Sequence, residues 1–156
     1  MPGVDRELHR TTPDLLAAIK LVSVAHQPWP LFVHGPAGSG KTCGSLAICD
    51  CVTKSTYTTL EDIADAVVNY AAPVIWEQAV AAELAVLDEI GMRAKSNDLH
   101  YTSLKKFADL RYGKATIYIS NAEPEQIADL YDDRIASRLL CGSIVHVGGN
   151  DRRRTG

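Results

Sequence analysis

No stretch of this chain constrains its fold more than Gly35-Pro36-Ala37-Gly38-Ser39-Gly40-Lys41-Thr42, which follows the apolar run Leu31-Phe32-Val33. It fits the phosphate-binding pattern G-x-x-x-x-G-K-[ST], and the run before it reads as the strand that must feed such a loop. Glycine at Gly35, Gly38 and Gly40 lets the backbone turn tightly and bring its N–H groups against phosphate oxygens, with no Cβ in the way. Lys41 supplies a point charge for the β and γ phosphates. Thr42 offers a hydroxyl to Mg²⁺ and, with Cys43 and the residues up to Val52, opens a helix whose N-terminal dipole favours an anion. Gly35 through Cys43 is therefore the expected nucleotide-binding stretch.

A chain of 156 residues suits one domain with a real core. Hydrophobic content of 46% and charged content of 22% are ordinary for a globular chain, with no apolar run near the length of a membrane span. Asp5, Arg6, Glu7, His9 and Arg10 open the sequence where a signal peptide would carry an apolar core, so a cytoplasmic location is expected. The four cysteines are Cys43, Cys49, Cys51 and Cys141. Cys49 and Cys51 point apart on a helix, which favours reduced core thiols over a zinc site. A net charge of −3 argues against strong nonspecific nucleic-acid affinity over the whole surface, without excluding a local basic patch.

In chain order, Thr12 to His26 has helical apolar spacing with Pro13 in its first turn, and Gln27-Pro28-Trp29-Pro30 breaks it. Trp29 either lines an adenine pocket or packs on the core edge. Thr53 to Thr58 predicts a second strand, and Thr58-x-x-Glu61 resembles a capping box ahead of a helix carrying Leu60, Ile63, Ala64, Val67, Val68 and Ala71. Pro73 begins another helix, with Trp76 and Val80 on its buried face.

Leu84-Ala85-Val86-Leu87 is a continuous apolar run ending in Asp88-Glu89, as expected of a strand buried on both faces that delivers carboxylates to its C-terminal edge. Lying about 45 residues after Lys41, it matches the Walker B pattern, in which Asp88 holds Mg²⁺ and Glu89 orients and activates the attacking water. Asn97 and Asp98 can cap a helix that ends near Tyr112-Gly113. Lys105, Lys106, Arg111 and Lys114 make that region basic, either as a solvated face or as a nucleic-acid contact. Thr116 to Ser120 predicts a further buried strand with Asn121 at its end, an amide placed to hold the catalytic water or the γ-phosphate, or to form a turn. Asp132 to Leu140 reads as a short helix and Ser143 to Val147 as the last strand.

With these pieces in order, the sequence resembles the AAA+ ATPases, and within them the DnaC-like helicase loaders and the IstB-like transposition ATPases. The resemblance runs from about Pro30 to Arg153 and is carried by Leu87-Asp88-Glu89-Ile90-Gly91, Arg111-Tyr112, Thr116-Ile117-Tyr118-Ile119-Ser120-Asn121, Asp133-Arg134-Ile135-Ala136-Ser137-Arg138-Leu139 and Gly149-Asn150-Asp151-Arg152-Arg153. It implies a three-layer α/β P-loop NTPase fold with a mostly parallel five-stranded sheet in the order 5-1-4-3-2. Residues 1–29 would be an N-terminal helix and linker and 30–156 the ATPase core, with no C-terminal helical lid. By the same resemblance Asn121 looks like the sensor-1 residue and Arg138, with Arg134 second, like an arginine finger reaching a neighbouring subunit. The expected cofactors are ATP and Mg²⁺, and the expected partners are other copies of the chain, single-stranded DNA, and a replicative helicase or a transposase. A non-catalytic ATP-dependent adaptor and a small-molecule kinase are the alternatives.

Overall fold

The apolar run before the glycine-rich stretch forms β1 (Leu31–His34), a strand buried at every position. In this computed structural model the described residues are 29–36, 40–50, 52–68, 73–91 and 98–147. The expected helix over Thr12–His26, the loop residues Ala37, Gly38 and Ser39, Cys51, Asn97 and the segment from Gly148 to the end lie outside them. After β1 come α1 (Lys41–Cys49), β2 (Ser55–Thr59), α2 (Leu60–Val68), α3 (Pro73–Ala81) and β3 (Leu84–Ile90). They are followed by α4 (Asp98–Leu110), β4 (Thr116–Ser120), α5 (Pro124–Leu130), α6 (Asp133–Leu140) and β5 (Ser143–His146).

The five strands pair in the order β2-β3-β4-β1-β5, the expected order read from the opposite edge. Every pairing is parallel. Such a sheet must be covered on both faces, and the period of two along each strand divides its side chains accordingly. Phe32, Leu87 and Tyr118 point to a core completed by Leu60 and Ile63 of α2, Leu104 and Phe107 of α4, and Ile135 and Leu139 of α6. Leu31, Val33, Val86, Ile117 and Ile119 point the other way, where Trp29, Cys49 and Val52 pack on them. Each large apolar side chain buried this way contributes roughly 1.5–3 kcal/mol. Trp29 thus packs on the core edge, and Trp76 lies against Phe107 with its indole N–H donated to the carbonyl of Ile63 at 3.0 Å.

Two glycines are required by close approach. A Cβ at Gly35 would stand 2.2 Å from the carbonyl oxygen of Val147, and one at Gly142 would stand 2.1 Å from that of Pro30. Both hold β5 tight against the entry and exit of β1, the strand that launches the loop. The helix-start expectation shifts by one residue: Thr59, not Thr58, caps α2, its hydroxyl accepting from the Asp62 amide at 3.1 Å. Thr58 is instead buried within β2.

Arg111 corrects the basic-face expectation. It is among the largest fully buried side chains. Its guanidinium donates to the carbonyls of Val80, Ala82 and Ala115 at 2.9, 2.6 and 2.5 Å and to the Thr116 hydroxyl at 3.1 Å. Those acceptors lie just before β3 and β4 or at the first residue of β4, so one cation ties together the starts of two adjacent strands. Lys114 also donates to the Val80 carbonyl, and the Lys106 ammonium sits 5.2 Å from the centre of the Trp76 ring.

Candidate nucleotide site

The order β3-β4-β1 brings the C-terminal ends of three parallel strands together, the place where open α/β sheets bind ligands. β1 delivers Gly35 and the loop into α1, β3 delivers Asp88 and Glu89, and β4, between them, delivers Asn121.

Lys41 is buried and donates to the carbonyls of Gly35 and Pro36, both at 2.8 Å. Burial lowers its pKa, opposed by the attraction of Asp88. Next to it, the Thr42 hydroxyl donates to Oδ2 of Asp88 at 2.7 Å, joining residues 46 apart in sequence. Oδ1 of Asp88 accepts from the Glu89 amide at 2.7 Å. A hydroxyl and a carboxylate with this spacing are the hard oxygen donors that suit Mg²⁺. The expected metal pair is therefore adjacent in space.

Sequence reasoning missed two features here. The phenol of Tyr57 on β2 donates to the same Oδ2 of Asp88 at 2.5 Å, and burial together with Asp88 pushes that phenol well above its ordinary range. Pairing of β2 with β3 is what brings it there, and only the strand order could have signalled it. The second feature is a bulge. Leu87 stands opposite Tyr118 and Ile90 opposite Ser120, so β3 carries one residue more than β4 across Asp88-Glu89. Within it Glu89 takes φ 59°, the left-handed region that a non-glycine residue enters at about 1–2 kcal/mol. Its side chain is exposed, and its carboxyl is raised by partial desolvation, then by Asp88, Glu61 and Asp62. The strand therefore continues through the acidic pair to Ile90 instead of stopping before it.

No family model matches the chain, and no curated protein sequence matches it. Solved structures do. The chain superposes on AMPPCP-bound DnaA from Aquifex aeolicus with a TM-score of 0.69 at 21% identity, covering 92% of this chain and 50% of that one. For domain III of DnaA from Thermotoga maritima the TM-score is 0.71 at 22% identity, covering 93% and 68%. For DnaI it is 0.68 at 19%, covering 95% and 93%. The fold is that of the AAA+ ATPases. The chain spans about half the length of the Aquifex DnaA chain it matches.

Within this AAA+ fold the remaining expected residues are spread over the sheet edge and the helices beyond it. Asn121 lies exposed just after β4, beyond Ser120, whose hydroxyl donates to the Ile90 carbonyl at 2.5 Å and accepts from the Ala122 amide at 3.0 Å. Arg138 has an acidic partner from another helix: its Nε lies 3.2 Å from Oδ1 of Asp109 on α4. Its guanidinium also stacks 4.3 Å from the centre of the Tyr112 ring. Asp132 caps α6 through the Ile135 amide at 2.7 Å and accepts from the Tyr101 hydroxyl. Arg134 lies 3.9 Å from Asp109. No helix among the described residues is long and apolar enough to cross a membrane.

Proposed function

We propose that this chain is an ATPase that couples ATP binding and hydrolysis to assembly on single-stranded DNA or on a replicative helicase. The observation that carries the ATPase reading is the Thr42–Asp88 contact, which joins the phosphate loop to the acidic strand end, with Glu89 turned out beside it. Lys41 exchanges its loop carbonyls for β- and γ-phosphate oxygens, a swap that a flexible ammonium with rotatable donors makes readily. Thr42 and Asp88 would hold Mg²⁺, which when bound neutralises charge on the phosphate oxygens. Glu89 orients a water for in-line attack on the γ-phosphorus and accepts its proton as the bond to the β-phosphate oxygen breaks. Its raised carboxyl makes it a better base than an ordinary glutamate. Asn121, just past the end of the strand between, would hold that water or the γ-phosphate.

The assembly half of the proposal rests on likeness. One similar structure is of DnaA bound to AMPPCP and single-stranded DNA, and another is of the DnaC helicase loader. Arg111, turned inward, is removed from any DNA-contacting set, which leaves Lys105, Lys106 and Lys114 of the original group. Phosphate release and nucleotide binding, measured side by side, test the ATPase reading. Lys41→Ala is expected to lose nucleotide binding, whereas Glu89→Gln keeps binding and loses turnover by about 10²–10⁴-fold. Equal ATP affinity for wild type and Lys41→Ala would overturn the site.

A further inference from the structure

At the β1 and β5 end of the same sheet edge, His34, His146 and Glu123 turn their side chains toward one another. His34 and His146 are register partners on β1 and β5, and their rings lie 4.9 Å apart at 55°. Glu123 comes from the turn after β4, where its amide donates to Oε1 of Gln126 at 2.8 Å and Pro124 begins α5. One donor atom from each of the three residues lies within 4.8 Å of the other two.

The geometry at His34 decides what this cluster is for. His34 is only 6% exposed, and its Nδ1 is buried without a hydrogen-bond partner. Yet Oε2 of Glu123 stands 3.2 Å away. An Nδ1–H aimed at that oxygen would form a hydrogen bond, and the directions do not allow one. The Nδ1 lone pair lies along the line an N–H would take, so it passes beside that oxygen, and only a group set off their direct line can engage both atoms. A cation would do so.

We propose that His34, Glu123 and His146 form a binding site for a borderline divalent metal ion such as Zn²⁺, separate from the Thr42–Asp88 pair. Two imidazoles and one carboxylate are a ligand set that zinc favours and Mg²⁺ does not. Tetrahedral zinc with bonds of roughly 2.0–2.1 Å places its ligand atoms about 3.3 Å apart, so the 3.2 Å pair already fits. The remaining closure falls to the exposed side chains of Glu123 and His146. Three protein ligands leave a fourth position for water or a ligand. Bound there, the ion would cross-link the strand that enters the phosphate loop, the last strand of the sheet and the segment just after Asn121.

The test uses the full chain with its thiols alkylated, titrated with Zn²⁺ alone against a chromogenic chelator, and with Co²⁺ read by its visible absorption. One equivalent of Zn²⁺ and an intense tetrahedral Co²⁺ spectrum are expected, both persisting in excess Mg²⁺. His146→Ala and Glu123→Gln, exposed positions that leave the core alone, should each weaken Zn²⁺ binding at least 10–100-fold. Zn²⁺ should raise the melting temperature of the wild type and not that of His146→Ala. Failure of the alkylated protein to bind one equivalent, or unchanged affinity in His146→Ala, would overturn the proposal.

Discussion

Two buried cations sit at opposite ends of one parallel sheet, and both are satisfied by main-chain carbonyls. Lys41, at the C-terminal edge, donates to Gly35 and Pro36; Arg111, at the N-terminal edge, donates to Val80, Ala82 and Ala115. The difference lies in what owns the acceptors. Those of Arg111 belong to the frame of the sheet, and its planar fork uses Nε and both terminal nitrogens at once. The acceptors of Lys41 belong to a turn, and its ammonium rotates about a flexible stem. A buried charge whose partners are fixed is a structural tie, whereas one whose partners are a loop is a charge held ready for an exchange.

The largest effect falls on a third cation whose surroundings are intermediate. Arg138 has one carboxylate, Asp109, and one aromatic face, Tyr112, and is partly exposed. If that shell opens toward a neighbouring subunit's γ-phosphate, Arg138→Ala should lower turnover in the assembled protein by about 10³–10⁵-fold. Mixing Arg138→Ala with Lys41→Ala subunits should then restore part of the activity. If the shell is closed like that of Arg111, turnover stays at wild type and the ion pair contributes only ~1 kcal/mol or less.

Next is Arg111 itself. Arg111→Ala strands buried carbonyls and should destabilise the fold by roughly 2–4 kcal/mol, read as a lower denaturant midpoint with an unchanged slope. Arg111→Lys should fall between it and the wild type, because an ammonium cannot reproduce the fork. A stability loss no larger than that of an exposed lysine such as Lys106 would erase the contrast with Lys41. Lys41→Met should move the other way: burial already works against its charge, so thermal stability should equal or exceed that of wild type while nucleotide binding is lost. A marked drop in melting temperature would show that Lys41, too, is a structural tie.

The smallest effect concerns the base of the helix that presents Arg138. The Tyr101 hydroxyl, then the Ile135 amide, hold the Asp132 carboxyl below its usual range. Its contribution is therefore present above the unfolded pKa of about 3.9 and is lost as pH falls through the lower folded value. Asp132→Asn should lower stability near neutrality and flatten the acid limb of a stability–pH profile; an unaltered limb would remove Asp132 from the account.

The strands were legible because burial on both faces leaves an unbroken apolar run, as in Leu84 to Leu87. The strand-to-helix junction was legible because Gly35 and Gly40 both stand at positive φ, where few other residues fit. What stayed hidden depended on contacts distant in sequence. Arg111 resembles its neighbours Lys105 and Lys106 until the carbonyls of Val80 and Ala82, about 30 residues earlier, are placed beside it. Asp109 became the partner of Arg138 only once α4 and α6 had packed. The bulge at Asp88-Glu89 is a property of two strands in register, and no single strand announces it. Tyr57 and His34 lacked any local signal, since each acquires its partner from a neighbouring strand or turn.

The left-handed backbone at Glu89 bears on how this protein could be improved in the laboratory. Variant libraries scored on heat resistance or soluble yield reward any change that relaxes a strained residue, and glycine does so at this position with no bulk to accommodate. Such a campaign should enrich Glu89→Gly early and deliver a sturdier protein that has lost its proposed base. Selection for robustness on this scaffold therefore has to be paired with selection for turnover, or it will steadily breed the chemistry out.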